Sequence, residues 1–127
     1  MNNNYLDETK NRWGNTTLYQ EYSNKTKNHS KDKWNEIIDG LNSIFKEFSV
    51  CLDKGVLHNS LLTQKLVEKL QNYITSNFYT CSSEILLNLG KMYVEDERFY
   101  KNIDSLGKGT AIYINEAIKY YYIKKRL

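Results

Sequence analysis

Proline is absent from all 127 residues of this sequence. Proline breaks helices because its ring fixes φ and removes a backbone donor, so a chain without it can form long uninterrupted helices. Glycine occurs six times, and four of these glycines lie where helices are expected to begin or end. Alternation of apolar and polar residues, the pattern typical of strands, is scarce. The sequence therefore predicts an all-α chain.

The clearest amphipathic pattern extends from Ser30 to Lys54. Its apolar residues recur at steps of three and four: Trp34, Ile37, Ile38, Leu41, Ile44, Phe45, Phe48 and Leu52. Ser30 is a suitable N-cap, and Gly55 suits the position after the helix end. Similar patterns predict helices over Ser60–Phe78, Ser83–Glu95 and Thr110–Lys125, with a shorter helical segment through Ile103. We expect a compact bundle of about five helices.

The first 29 residues are polar and weakly periodic. A short helix over Thr16–Lys27 would be marginal in isolation. We therefore divide the chain into a flexible N-terminal arm with a short helix, residues 1–29, and a helical domain, residues 30–127. Trp13 in this arm either docks onto the core or closes over a ligand.

The bulk properties exclude several classes of function. A net charge of +3 is too small for a nucleic-acid reader, and we expect no membrane segment. The two cysteines form no metal or redox motif, His29 and His58 are isolated, and no catalytic Cys–His signature is present. The sequence thus predicts a cytoplasmic protein that is a monomer or weak dimer, without cofactor or metal, and not an enzyme.

Cys81 lies directly before a predicted helix start. Ser82 is the favoured N-cap of that helix, with Thr80 and Ser83 as alternatives. The unpaired N–H groups and the positive end of a helix favour a thiolate over a thiol. The alternative is that Cys81 is a small buried side chain of the core. Further along, Asp96 and Asp104 are interpreted as helix caps rather than as a catalytic acid pair.

Several segments carry a family resemblance in their order and spacing. They are Arg12–Thr16, Ser30–Trp34, Gln64–Val67, Phe78–Cys81, Leu89–Val94, Asp96–Phe99, Asn102–Asp104 and Glu116–Ile118. Together they resemble the TipAS domain, the ligand-recognition domain of TipA-type, MerR-like transcription activators. The resemblance covers nearly the whole chain, from about Tyr5 to Tyr122.

The resemblance implies a globin-like helical fold without haem and a cleft of aromatic and apolar side chains for bulky antibiotics, thiopeptides in the prototype. It also implies an N-terminal part that is flexible until a ligand binds. The candidate lining residues are Leu70, Ile74, Phe78, Tyr79, Cys81, Met92, Tyr93 and Tyr113, with Trp13 as a closing residue. Ordinary core packing is the alternative for each of them.

Cys81 matches the prototype cysteine that bonds covalently to a dehydroamino acid of the ligand, so covalent capture and non-covalent binding both stay open. Leu70 departs from the family, because many members carry a histidine there. The chain has neither the winged helix-turn-helix nor the coiled coil of the activators, so we expect no DNA contact. It is either the sensor part of an activator or a stand-alone drug-sequestering protein. A protein-interaction domain without a small-molecule ligand is the alternative function.

Overall fold

A computed structural model describes residues 17–126 of the chain, and the predictions for Trp13 and Arg12–Thr16 lie outside this range. Six helices make up the described part: α1 Thr17–Thr26, α2 Lys31–Asp53, α3 Leu61–Asn77, α4 Ser83–Glu95, α5 Glu97–Asp104 and α6 Thr110–Arg126. Residues 17–126 contain no strand. The all-α prediction is confirmed, with five helices after residue 30 and a short one before it.

Side-chain caps begin four of the helices. Ser30, Ser60 and Ser82 each accept a hydrogen bond from the backbone N–H three residues ahead, at 3.1, 3.2 and 3.1 Å. Asp96 caps α5 by accepting a hydrogen bond from the backbone N–H of Arg98, two residues ahead, at 3.0 Å. These bonds satisfy donors that the helix itself leaves unpaired. The predicted caps of α2, α3, α4 and α5 are confirmed.

The end of α2 depends on Gly55, which has φ +76°. The N–H of Gly55 donates to Leu52 O at 3.0 Å, and the N–H of Val56 donates to Cys51 O at 2.9 Å. This pair of bonds is a Schellman motif, in which glycine takes the left-handed conformation without the clash that a Cβ would cause. The predicted role of Gly55 at the helix end is confirmed.

Asp104 joins α5 to α6. Its two carboxylate oxygens accept hydrogen bonds from the N–H groups of Gly109 (3.0 Å) and Ala111 (2.8 Å) at the start of α6. A carboxylate at a helix N-terminus satisfies these donors and complements the helix dipole. The interpretation of Asp104 as a cap is confirmed.

The core lies between α2, α3, α4 and α6, with Phe99 and Ile103 of α5 packed against it. The crossing of α4 and α6 is close at Gly90, where an added Cβ would lie 2.8 Å from Asn115 Oδ1 and 3.2 Å from Ile118 Cδ1. Gly90 therefore makes room for side chains of the neighbouring helix α6.

Candidate functional site

The segment Phe78–Cys81, which we call the α3–α4 link, joins two core helices. The N–H groups of Phe78 and Tyr79 both donate to Ile74 O, at 2.8 and 3.2 Å. The N–H of Cys81 donates to Thr75 Oγ1 at 3.1 Å, and Gln71 Nε2 donates to Cys81 O at 2.8 Å. One backbone carbonyl and two side chains of α3 thus pair with the link's backbone and hold it in one conformation.

Four rings meet beside this link, and we call them the aromatic cluster: Tyr22, Trp34, Phe78 and Tyr79. The ring of Tyr22 stacks on Phe78 at 6.2 Å between centroids and lies 6.5 Å from Trp34 and 6.3 Å from Tyr79. Trp34 and Phe78 stack at 6.2 Å. Offset and tilted aromatic pairs at these separations are favourable beyond the area that they bury. The cluster therefore joins α1 and α2 to the α3–α4 link.

Polar contacts hold α1 onto the same link. The carboxylate of Glu21 accepts from the backbone N–H and the hydroxyl of Thr80, at 2.8 and 2.7 Å. Lys25 Nζ donates to Thr75 O at 2.5 Å and lies 3.6 Å from Glu21 Oε2. The hydrogen bond from the Thr80 N–H lowers the pKa of Glu21, and burial opposes this shift. Glu21 and Lys25 of α1 thus bind Thr80 of the link and Thr75 of α3.

Cys81 is buried, with 4% of its surface exposed. Burial raises the pKa of its thiol to about 12, and Sγ lies 3.8 Å from Ser82 O, to which it donates. Of the two alternatives that the sequence leaves open for Cys81, this conformation therefore agrees with the buried core side chain, and the helix start at Ser82 is where the sequence predicts it. Loss of hydration disfavours the charged form more than the helix terminus favours it.

The other predicted lining residues within the described range are also buried: Leu70, Ile74, Phe78, Tyr79, Met92, Tyr93 and Tyr113. Phe78 and Tyr79 belong to the aromatic cluster, whereas the ring of Tyr93 packs against Phe45 at 5.3 Å and Phe99 at 5.9 Å. Phe78 and Tyr79 therefore lie together with Cys81 in the link, whereas Tyr93 packs against rings outside the aromatic cluster.

Tyr113 lies in a polar setting of its own on α6. Its hydroxyl donates to Val56 O at 2.8 Å and shares a hydrogen bond with Thr63 Oγ1 at 2.8 Å. Burial raises the pKa of Tyr113, and the hydrogen bond with Thr63 opposes this shift. Tyr113 therefore stays a neutral phenol that ties α6 to α3.

The sequence did not indicate Glu21, Tyr22 or Thr80 as site residues. The sequence places Tyr22 on the apolar side of a short predicted helix, but it does not show that this side packs against the α3–α4 link. Glu21 and Thr80 are 59 positions apart, and nothing in their local sequence relates them. Within residues 17–126 no group of three or more His, Cys, Asp or Glu side chains is arranged to hold a metal ion. No helix in this range is long and apolar enough to cross a membrane.

Comparison with known proteins shows the family to which the chain belongs. The family model of the TipAS antibiotic-recognition domain matches residues 5–121. The HTH-type transcriptional activator TipA of Streptomyces coelicolor is 36% identical over 114 residues, which cover 90% of this chain and 45% of the relative. The HTH-type transcriptional activator mta of Bacillus subtilis is 29% identical over 117 residues, 92% of this chain and 44% of mta. The chain thus spans slightly less than half the length of these relatives.

A solved structure is similar over almost the whole fold. TipAS of Streptomyces lividans, in complex with the thiopeptide antibiotic nosiheptide, matches with a TM-score of 0.83 at 33% sequence identity. The match covers 98% of this chain and 87% of the TipAS chain. The resemblance that the sequence motifs indicate is therefore confirmed in three dimensions.

Proposed function

Because this chain belongs to the TipAS antibiotic-recognition domain family, we propose that it is a receptor for bulky thiopeptide antibiotics. One observation carries the proposal: the similarity of the fold, at 33% identity, to TipAS in complex with nosiheptide. The abundance of aromatic side chains around the α3–α4 link suits a large ligand that presents flat heterocycles.

The binding residues that we propose centre on the α3–α4 link. Phe78, Tyr79 and Cys81 would meet the ligand first, because they belong to the link that α1 contacts. The rest of the wall would be formed by Leu70 and Ile74 from α3, Met92 and Tyr93 from α4, and Tyr113 from α6, with Trp13 as a closing residue. Leu70 contributes no hydrogen-bonding group where many family members carry histidine, so this wall selects for apolar ligand surface.

A ligand can enter this site only if the N-terminal arm, including α1, moves away from the link. The proposed division is a mobile arm of residues 1–29 over a stable domain of residues 30–127. Helix α1 has only 10 residues, and helices of this length are marginal without tertiary contacts. It is attached to the link by Tyr22, Glu21 and Lys25. Breaking the contacts between α1 and the link would uncover Trp34, Phe78 and Tyr79.

Cys81 is the residue that we propose for covalent capture. In the closed conformation its thiol is protonated at neutral pH, so reaction would follow opening and hydration of the site. The Sγ thiolate would add to the β-carbon of a dehydroamino acid, the π electrons would move to the α-carbon, and that carbon would take a proton from water. The thiol proton would leave to solvent. Since nothing restores the thiol, each chain captures one ligand and does not turn over.

We propose that the chain acts in the cytoplasm by binding its ligand and does not itself contact DNA. The relatives are named as HTH-type activators and extend well beyond this chain, so any DNA contact would belong to other parts of a longer protein. We further propose that the chain is a monomer or weak dimer, and its net charge of +3 is small for a nucleic-acid reader.

Thermal denaturation with nosiheptide tests the binding proposal. A ligand at 100 times its Kd adds about 2.7 kcal/mol of stability, so we expect a clear rise in Tm for the wild type. A Phe78→Ala variant should give a smaller rise. No change of Tm with nosiheptide or related thiopeptides would contradict the proposal and favour a protein-interaction domain.

Intact mass spectrometry tests the role of Cys81 separately. After incubation with nosiheptide, the wild type and Cys51→Ser should gain the mass of one ligand, and Cys81→Ser should not. A rise in Tm without a mass increase would mean that binding is non-covalent. An adduct retained by Cys81→Ser would exclude Cys81 as the capture residue.

A further inference from the structure

A second concave surface lies between α3 and α6, and the proposed antibiotic site does not include it. The space it encloses is about 350 Å³. We call it the α3–α6 groove; it is lined by Leu61, Gln64, Lys65, Glu68, Tyr121, Lys124 and Lys125. The hydroxyl of Tyr121 donates to Gln71 Oε1 at 2.8 Å, which holds this aromatic wall in position. The groove is thus preformed.

Exposed leucines occur near the start of α3. Leu61, which lines the groove, is 73% exposed, and Leu57 and Leu62, close to it in the sequence, are 69% and 57% exposed. Single exposed apolar residues are ordinary. Leu61 is informative because it lies in the wall of a groove, where it offers apolar surface for a partner to bury.

The charges around the groove are not balanced. Lys65, Lys124 and Lys125 line it, against one acidic residue, Glu68. Lys125 Nζ lies 5.1 Å from the centre of the Tyr121 ring. Lys124 Nζ lies 5.9 Å from the centre of the Tyr120 ring, which is not part of the groove. Across residues 17–126 none of these three lysines pairs with a carboxylate. The groove thus has an apolar wall with uncompensated positive charge at its rim.

We propose that the α3–α6 groove docks an acidic amphipathic helix, whose apolar stripe covers Leu61 and Tyr121 and whose carboxylates pair with the three lysines. The groove residues of α3 span two helical turns, about 10 Å along the axis. A helix with leucines at steps of three and four presents apolar side chains at matching intervals. Charge complementarity selects Asp and Glu for the flanks of that stripe.

A second copy of this chain fits the groove poorly. In a symmetric dimer through this surface, the same patch of each copy faces the other. Two patches of net positive charge, each with three lysines and one glutamate, would then face each other. Like charges in close opposition are unfavourable, so the charge pattern favours a different, acidic partner.

Binding of designed peptides to the 127-residue chain tests this inference. The probe is a fluorescein-labelled helix of about 18 residues, with leucines on one stripe and glutamates along both flanks. Two matched peptides replace the glutamates by lysine or the leucines by serine. Fluorescence anisotropy gives each affinity, and amide chemical shifts map the contact. We expect binding of the first peptide only, with shifts at α3 and α6 and an affinity that falls as salt is raised.

Three protein variants distinguish binding in this groove from general attraction between charges. Lys124→Glu/Lys125→Glu should weaken binding at least tenfold, about 1.4 kcal/mol, and Leu61→Ser should weaken it as well. Lys31→Glu/Lys33→Glu, which makes the same charge change on α2, should leave affinity within about twofold. Equal losses in both charge variants, shifts away from the groove, or no binding would overturn the proposal. Self-association that Leu61→Ser abolishes would show that a second copy fills the groove and would also overturn it.

Discussion

Cys81 should react with thiol reagents far more slowly than an exposed cysteine. Burial raises the pKa of its thiol to about 12, against about 8.5 for a free cysteine. At pH 8 the thiolate fraction is then on the order of 10⁻⁴ instead of about 0.2. Because the thiolate is the nucleophile, we expect alkylation to be slower by a factor on the order of 10³.

The measurement uses a Cys51→Ala variant, in which Cys81 is the only thiol. Iodoacetamide is added at pH 8, and intact mass spectrometry follows the adduct with time. The same variant unfolded in urea supplies the rate of the exposed thiol. Between pH 7 and 10 the native rate should rise about tenfold per pH unit without a plateau, because this range lies below the pKa.

A native rate within about tenfold of the unfolded rate would contradict this reasoning, and so would a plateau near pH 8. Either result would mean that water reaches Sγ in the ligand-free protein. A rate that increases when α1 is weakened by Tyr22→Ala would identify opening of this helix as the step that exposes the thiol.

Three further predictions concern stability. Ser82→Ala removes the cap of α4 and should lower the free energy of unfolding by about 1 kcal/mol in urea titrations; no change would mean that the cap adds nothing. Gly90→Ala should destabilise by about 1–2 kcal/mol despite better helix propensity, because its Cβ would meet Asn115 Oδ1 at 2.8 Å; the cost should fall in an Asn115→Ala background, and equal costs would contradict this account. Glu21→Gln should cost about 1 kcal/mol at pH 7, discounted for partial exposure. The pKa of Glu21 is lowered by its hydrogen bonds to Thr80, so this contribution should decline as the pH falls below the unfolded-state pKa and vanish below the folded-state pKa, and a difference that does not decline as the pH is lowered would refute it.

The helices could be predicted because their signals are local. Ser30, Ser60 and Ser82 precede amphipathic runs, and each accepts the expected backbone hydrogen bond. Capping depends on residues three positions apart, and a helix face repeats within four. Each predicted helix boundary therefore lies within one residue of the observed one.

The candidate site was predictable only in part. The motif around Cys81 and the family resemblance directed attention to the α3–α4 link, and the ligand-binding role of that link stays a prediction. The polar partner of Thr80 could not be found in this way, because Glu21 lies 59 positions earlier on another helix. No pattern of local periodicity relates residues at such a separation.

The amino-acid order alone established where the helices start and end and which faces are apolar, since these depend on near neighbours along the chain. It also placed a cysteine at a helix start. The charge state of that cysteine was decided by packing, because hydration depends on which distant side chains surround the sulfur. Burial of Cys81 raises the pKa that its position at the start of α4 would otherwise lower.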